Sequence, residues 1–343
     1  MNKFSYTLFL FFTFFFVKSQ TIQGTVFDEN TIPLEGVSVY YDGTTLGTTT
    51  NQAGQFEINS LATPNAILVI SYIGFESIYL NAVQNNLKIS LKPNIISLNE
   101  VLLAPIPFSR KDMLAVFREQ FLGQTKAGRN CLILNEEAIQ FAYDSQNFKL
   151  SAFADEPLKI ENKLLGYEVY FNLIDFSVVF SKRSLDEVFM RTSFFSGTSF
   201  FQEMKDLNQK IEKNREKAYL GSSKHFFKNL NDKKWGKKEF SVFERGFVSD
   251  PTLHFEVIPG ENLTLIKLIE KPVTINGIIA LKFRKSLQLL YNNKEQSGIV
   301  FYTPSFYVDA YGSYSNIDQI IFSGEIAKKR MGDMLPGNFE ITK

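Results

Sequence analysis

Short strand-forming runs, each closed by Gly, Pro, Asn or Asp, crowd the stretch from residue 21 to 102 and restrict what it can fold into. Thr21-Ile22-Gln23-Gly24-Thr25-Val26-Phe27-Asp28 alternates in polarity, turns at Asn30-Thr31, and leads through Pro33-Leu34 into Glu35-Gly36-Val37-Ser38-Val39-Tyr40. A Gly/Thr-rich run from Gly43 to Asn51 and the phrase Gly54-Gln55-Phe56-Glu57-Ile58 follow. Side chains alternate faces along a strand, so Val37, Val39 and Tyr41 share one face and Ser38, Tyr40 and Asp42 the other. Ala66 to Tyr72 is almost continuously apolar, as a central strand covered on both faces requires. Gly74 allows a bend before Phe75 to Leu80, and Leu87-Lys88-Ile89-Ser90-Leu91 closes the set at Pro93. So many short strands cannot bury themselves in one flat sheet, and two packed antiparallel sheets are the expected solution.

Gly24-x-Val26-x-Asp28, Pro33-Leu34-x-Gly36-Val37-x-Val39, Gly43-Thr44, Gly47-Thr48-x-Thr50 and Gly54-x-Phe56-x-Ile58 together resemble the carboxypeptidase regulatory-like domain. Ser71-Tyr72-Ile73-Gly74-Phe75 and Leu98-Asn99-Glu100-Val101 continue the likeness in the order found in Bacteroidetes envelope proteins. The resemblance implies a transthyretin-like β-sandwich over residues 20–103, about a quarter of the chain, with Asn51 where the family usually has Asp. It does not bring a peptidase with it. Zinc catalysis of that kind needs a His-x-x-Glu pair and a further His. His225 is followed by Phe226-Phe227-Lys228 and His254 by Phe255-Glu256-Val257, so neither begins the motif. The expectation is no cofactor and no metal. The module also precedes outer-membrane receptor barrels, but those need several hundred more residues than remain.

The first nineteen residues read as an export signal: Lys3, an apolar run from Phe4 to Val17, and small Val17 and Ser19 before a cleavage ahead of Gln20. The run is shorter than the roughly 20 residues of a spanning helix. Cleavage would remove Lys3 and Lys18, leaving 35 of the 37 Lys and Arg against 36 Asp and Glu. That balance speaks against nucleic acid or an anionic membrane as partner. The expected location is periplasmic, outer-membrane-associated or secreted, with no transmembrane span after cleavage and an oligomeric state the sequence leaves open. Cys131 is the single cysteine and reads as a small buried side chain.

Ala104-Pro105-Ile106-Pro107-Phe108 is a stiff linker. Residues 109–343 then read as an α+β domain rich in antiparallel strands. Ser109 caps a helix whose stripe is Leu114, Phe117 and Phe121 and whose stop is Gly123. Ala138–Tyr143 and Phe148–Phe153 form a hairpin, and Gly166–Phe180 alternates. Further strands are expected near 253–258, 263–269, 278–283, 286–291, 299–303, 306–311 and 319–322. Between them, residues 203–239 form a helical insertion with eleven Lys or Arg against six Asp or Glu. Gly221 ends one helix there, Ser222 or Ser223 caps the next, and Phe226, Phe227 and Leu230 face inward.

Two stretches are candidates for an interaction surface. Lys213, Arg215, Lys217 and His225 could present a basic, aromatic-flanked face to an anionic partner such as envelope glycan or lipid headgroups. The plainer reading is a solvated helix face with a packed or capping His225. Phe194, Phe195, Phe200 and Phe201 surround Gly197 outside any clean period, either as an exposed loop for a partner or as the lid of a core. No nucleophile elbow, phosphate-cradling loop or Cys/His dyad is in view. Asp155-Glu156 and Glu136-Glu137 are neighbours, which a strand would point to opposite faces. The leading function is therefore a non-catalytic exported envelope protein that binds or scaffolds a protein or glycan. The alternative is an exported hydrolase with an unrecognised site in the second domain.

Overall fold

The computed structural model describes residues 21–59, 66–81, 85–94, 106–269, 274–275, 278–279 and 284–341. The export signal, the Leu98–Val101 phrase and the start of the Pro-rich linker lie outside them.

The first unit comprises β1 (Thr21–Phe27), β2 (Ser38–Tyr41), β3 (Gly47–Thr49), β4 (Gln55–Asn59), β5 (Leu68–Ser71), β6 (Ile78–Leu80) and β7 (Leu87–Ser90). They form two sheets, β4-β1-β7 and β3-β2-β5-β6, with one parallel pair, β1 with β7. Alternation decides what fills the space between them. Val37, Val39 and Tyr41 point in with Val26, Phe56, Ile58, Leu68 and Ile70, so the mainly β sandwich is as expected. Tyr40 faces the other way, yet it too is buried, at 4 % exposure. That face is therefore covered by something outside the sandwich.

The cover comes from the second unit. It opens with α1 (Arg110–Leu122), where the Ser109 hydroxyl accepts from the Asp112 N–H and the Gly123 N–H closes onto Glu119. After α2 (Lys126–Arg129) come β8 (Cys131–Ile133), β9 (Ile139–Asp144), β10 (Lys149–Ala154), β11 (Leu158–Asn162), β12 (Tyr167–Phe180) and β13 (Met190–Glu203). The paired β12 and β13 are each 14 residues long, roughly 45 Å of strand. β11 and β10 share one edge of β12, and β13 takes the other. A register shift between Leu173 and Asp175 bulges Ile174 outward, where it is exposed. Phe117 and Phe121 of α1 pack on Phe171 and Phe176. Cys131 is buried in the same core, which pushes its thiol up to about 12.

α3 (Gln209–Tyr219) and α4 (Ser223–Asn231) carry the chain from this core to another. Gly221, at φ 70°, makes the turn, and the Ser222 hydroxyl caps α4 through the His225 N–H. Ala218 belongs to the first of the two cores, whereas Phe226, Phe227 and Leu230 belong to the second. The second core is closed by β14 (Phe240–Glu244), β16 (Phe255–Ile258), β17 (Thr264–Leu268), β20 (Lys285–Tyr291), β21 (Glu295–Phe301), β22 (Ser305–Val308), β23 (Ile320–Gly324) and α5 (Glu325–Lys328), and the same stretch carries β15 (Phe247–Ser249), β18 (Thr274–Ile275) and β19 (Ile278–Ile279). Its sheets are β15-β14-β20-β21-β23 and β16-β17-β22. Among the described residues of 109–341 there are thus two separate buried clusters. The described part of the expected 278–283 strand is Ile278–Ile279.

A C-terminal strap then returns to the earlier units. Met331 and Leu335 enter the core of α1 and β12. The Asn162 amide donates to the Gly332 carbonyl (2.9 Å), and the Thr125 hydroxyl to Asp333 (2.6 Å). Lys224 donates to the carbonyls of Pro336 (2.8 Å) and Gly337 (2.5 Å), and burial lowers its ammonium to about 8. A Cβ on Gly332 would overlap the backbone of Gly128. Gly332→Ala is therefore expected to cost about 1–3 kcal/mol through overpacking, read as a lower urea midpoint. An unchanged midpoint would show that the strap does not press on α2.

Candidate functional site

The two faces that meet between the sandwich and the second unit enclose the cavity of greatest chemical interest. Their contact combines backbone hydrogen bonds, side-chain hydrogen bonds and ring packing. Along β13, the N–H and C=O of Ser199 and the N–H of Phe201 point away from β12 and need partners. The Gly43 N–H donates to Ser199 O (2.7 Å), and Phe201 N–H donates to Thr44 O (2.9 Å). Ser199 N–H donates to Asp42 Oδ1 (2.7 Å). The Tyr40 hydroxyl accepts from the Asn172 amide (2.6 Å) and lies 3.1 Å from the Thr198 hydroxyl. Burial raises both the Tyr40 hydroxyl and the Asp42 carboxyl above their ordinary ranges.

Gly47 makes the closest approach. A Cβ there would sit 2.5 Å from the Phe200 ring, so a bare backbone lets that ring lie against β3. Phe200 also packs on Tyr40 (5.5 Å between centroids) and Tyr170 (6.4 Å). Beside this junction opens a cleft of about 530 Å³, within the range of small-molecule sites. One wall comes from the sandwich, with Tyr72, Phe75, Glu76 and Tyr79; the other from the second unit, with Asp155, Glu156, Tyr170, Asn172 and Ile174. Tyr72 and Phe75 sit 5.5 Å apart, tilted.

Asp155 and Glu156 lie in the bend between β10 and β11, not within a strand, and both line the cleft. The expectation that they point to opposite faces is corrected on that ground. Each is held by a neutral amide: Gln140 donates to Asp155 (2.9 Å) and Asn135 to Glu156 (2.9 Å).

The residues singled out from sequence separate. Phe194–Phe201 is part of β13, and the pleat divides its four rings. Phe201 is 1 % exposed beside Tyr167, and Phe195 stacks edge-on to Phe121, both in the α1 core. Phe200 reaches the cleft, and Phe194 is half-buried opposite Ser177. The stretch is therefore no loop. Lys213 and Lys217 are exposed on α3, while Arg215, two residues from each, turns inward. Its guanidinium lies 3.9 Å over the Tyr167 ring, donates to Leu165 O (2.8 Å), and pairs with Glu203 (2.9 Å). Those contacts hold Arg215 inside the fold, buried and already paired with a carboxylate, rather than on an open basic face.

His225 is buried among Tyr219, Phe240 and Tyr291. Its Nδ1 accepts from the Gly221 N–H (3.1 Å), and its Nε2 faces Glu239 at 3.3 Å. This is a histidine that packs and fastens the α3–α4 turn, not one on a surface. His254 is also buried, with Nε2 at 2.7 Å from the Ser249 hydroxyl. Among the described residues no cluster of three or more His, Cys, Asp or Glu is arranged to hold a metal ion, and no helix is long and apolar enough to cross a membrane. Of the cleft aromatics, Phe200 was singled out in sequence, whereas Tyr72, Phe75, Tyr79 and Tyr170 were passed over. The signal was Tyr40, a large ring on the otherwise polar face of β2.

Residues 22–103 match the family described as the CarboxypepD_reg-like domain, so the sandwich is a domain of that kind. No curated protein matches the chain. Two solved structures share local similarity, both mutants of a type II cohesin–X-dockerin complex from Acetivibrio cellulolyticus. The N-terminal interface mutant is 21% identical, covering 21% of this chain and 57% of that one, at a TM-score of 0.19. The C-terminal interface mutant is 23% identical, covering 20% and 51%, at 0.18. The matches thus span little more than half of those chains.

Two outcomes follow from this geometry. Asp42→Ala leaves the Ser199 N–H without its acceptor, at a cost of about 1–3 kcal/mol, and speeds hydrogen exchange at that amide; Asp42→Asn, which keeps an oxygen, stays near the parent. Burial lowers the His225 imidazole from 6.5 to about 4. Between those values the unfolded chain binds the proton and the folded chain does not, so this contribution is complete above pH 6.5 and is lost as pH falls toward 4. The melting temperature of His225→Gln should accordingly depend less on pH over that window; equal slopes would remove His225 from the acid response.

Proposed function

We propose that this chain is an exported cell-envelope protein, periplasmic, outer-membrane-associated or secreted, whose role is to bind rather than to transform. Residues 1–19 serve as its export signal, the domain at the front is an accessory, and the units after Pro107 supply the other half of its binding site. The observation that carries the reading is the cleft itself. It is built jointly by the sandwich and the second unit, its aromatic rings offer stacking area, and its polar groups are placed around them. Neither histidine nor cysteine is among its lining residues, so its serine hydroxyls have no such base beside them. The envelope partner, protein or glycan, would meet a surface whose two halves are fixed by the Asp42 and Tyr40 contacts.

Asp155 and Glu156 sustain the second reading, a hydrolase, because both carboxylates border the cleft. One experiment separates the two. The full chain is titrated with envelope-derived peptides and oligosaccharides, resonances of the cleft are followed, and the ligand is recovered and weighed. Binding predicts shifts at Tyr72, Tyr79 and Tyr170, an intact ligand, and an affinity about tenfold weaker in Tyr170→Ala. Cleaved ligand, with cleavage lost in Asp155→Asn or Glu156→Gln, would replace binding with hydrolysis. No shift at any cleft residue would defeat both.

A further inference from the structure

Charge within the cleft is lopsided in a way the chain as a whole is not. Glu76, Asp155 and Glu156 border it, and Lys159 is the one cationic side chain among its lining residues. Two of the three carboxylates accept from uncharged amides, Asp155 from Gln140 and Glu156 from Asn135. Among the described residues none of the three takes part in an ion pair. The charge of Asp155 and Glu156 is held in position without being cancelled, and with that of Glu76 it borders aromatic walls.

Rings and unneutralised carboxylates attract the same kind of ligand. The face of an aromatic ring is negative, so a cation over Tyr or Phe is favoured, by more when water is displaced. A carboxylate beside it adds a charge-assisted hydrogen bond to an N–H donor. Tyr72 and Phe75 on the sandwich wall, and Tyr170 and Phe200 on the opposite one, place ring surface on both sides. Glu76 belongs to the first wall and Asp155 and Glu156 to the second, so both kinds of group come from both units. An anionic ligand would meet three like charges; a neutral one would leave them unused.

We infer that the cleft takes an organic cation, an ammonium or guanidinium group on a slender aliphatic stem, held between aromatic rings with Glu76, Asp155 and Glu156 as its counter-charges. The inference rests on the reading that this cleft binds a ligand, and it gives that ligand a sign opposite to the anionic partner expected of the basic helix. The volume of about 530 Å³ suits a small amine or one basic side chain with its neighbours. Such a group can be free, as in a polyamine, or belong to a peptide, and its contacts with the rings and carboxylates are the same in both.

The test uses the full chain and four probes: a capped tetrapeptide with a central lysine, the same peptide with norleucine or glutamate in that place, and spermidine. Resonances of Tyr72, Tyr79, Tyr170 and Phe200 report occupancy. The lysine peptide should bind about tenfold more tightly than the norleucine peptide and lose that advantage in 0.5 M salt, on the order of a 4 Å screening length. The double variant Glu76→Gln, Asp155→Asn should remove the advantage without moving the melting temperature, since both side chains are exposed. Spermidine binding as tightly as the lysine peptide assigns the site to free amines; weaker spermidine binding assigns it to basic side chains. If norleucine matches lysine, or glutamate exceeds it, the cation inference falls and the binding cleft stands. If no probe moves a cleft resonance, the binding reading falls with it.

Discussion

An open strand edge is the constraint on which the arrangement depends. β13 is long, and one side of it is fully engaged with β12. Its other side carries amide and carbonyl groups that attract any passing strand unless they are satisfied. The sandwich satisfies part of that edge by bringing up the Asp42–Thr44 turn, whose backbone and carboxylate receive Ser199 and Phe201. Docking the front domain is therefore a way of finishing the sheet behind it. The cleft exists because the two surfaces meet along this line and diverge beside it. Phe200 marks the point of divergence, with Gly47 beneath it and open space beyond.

Features written over a few consecutive residues were legible in the sequence. Ser109 and Gly123 bound α1, and Gly221 and Ser222 mark the turn between α3 and α4, because caps and turns are decided by local hydrogen bonds and backbone freedom. The inward trio of β2 was equally plain, since alternation needs no partner to be read. β13 was missed because Ser, Thr and Gly between its Phe residues blur the alternation that the pleat nonetheless imposes. β14 and β15 were missed because a charged stretch runs up to their start. Beyond the single rings of Tyr40 and Phe200, the cleft could not be read. Tyr40 and Asn172, or Tyr72 and Tyr170, are brought together only by docking, and no spacing along the chain encodes that.

The charged residues teach a related lesson. Counting cations along 203–239 suggested a basic face, yet Arg215 and His225 are spent on fastening the structure. Arg215 gathers the Leu165 carbonyl, Glu203 and the Tyr167 ring around the start of β12, and His225 anchors the turn between two cores. Of the cleft carboxylates, Asp155 and Glu156 were noticed only as neighbours that a strand would turn apart, and Glu76 attracted no notice, since nothing local marks it. Electrostatic character here follows from which charges are already matched inside the fold.

The strap from Arg330 to Phe339 has a bearing on how the molecule is made. Its contacts join residues 170, 208 and 210 positions apart: Asn162 with Gly332, Thr125 with Asp333, and Gln120 with Arg330. Because Met331 and Leu335 are part of the core around α1 and β12, that core lacks a portion of its filling until residues 331–335 have been added roughly 200 positions after α1. Loop closures of this length are slow compared with the formation of hairpins and helices. The core around α1 and β12 therefore closes only once the strap has joined it, and the order of synthesis becomes part of the folding problem.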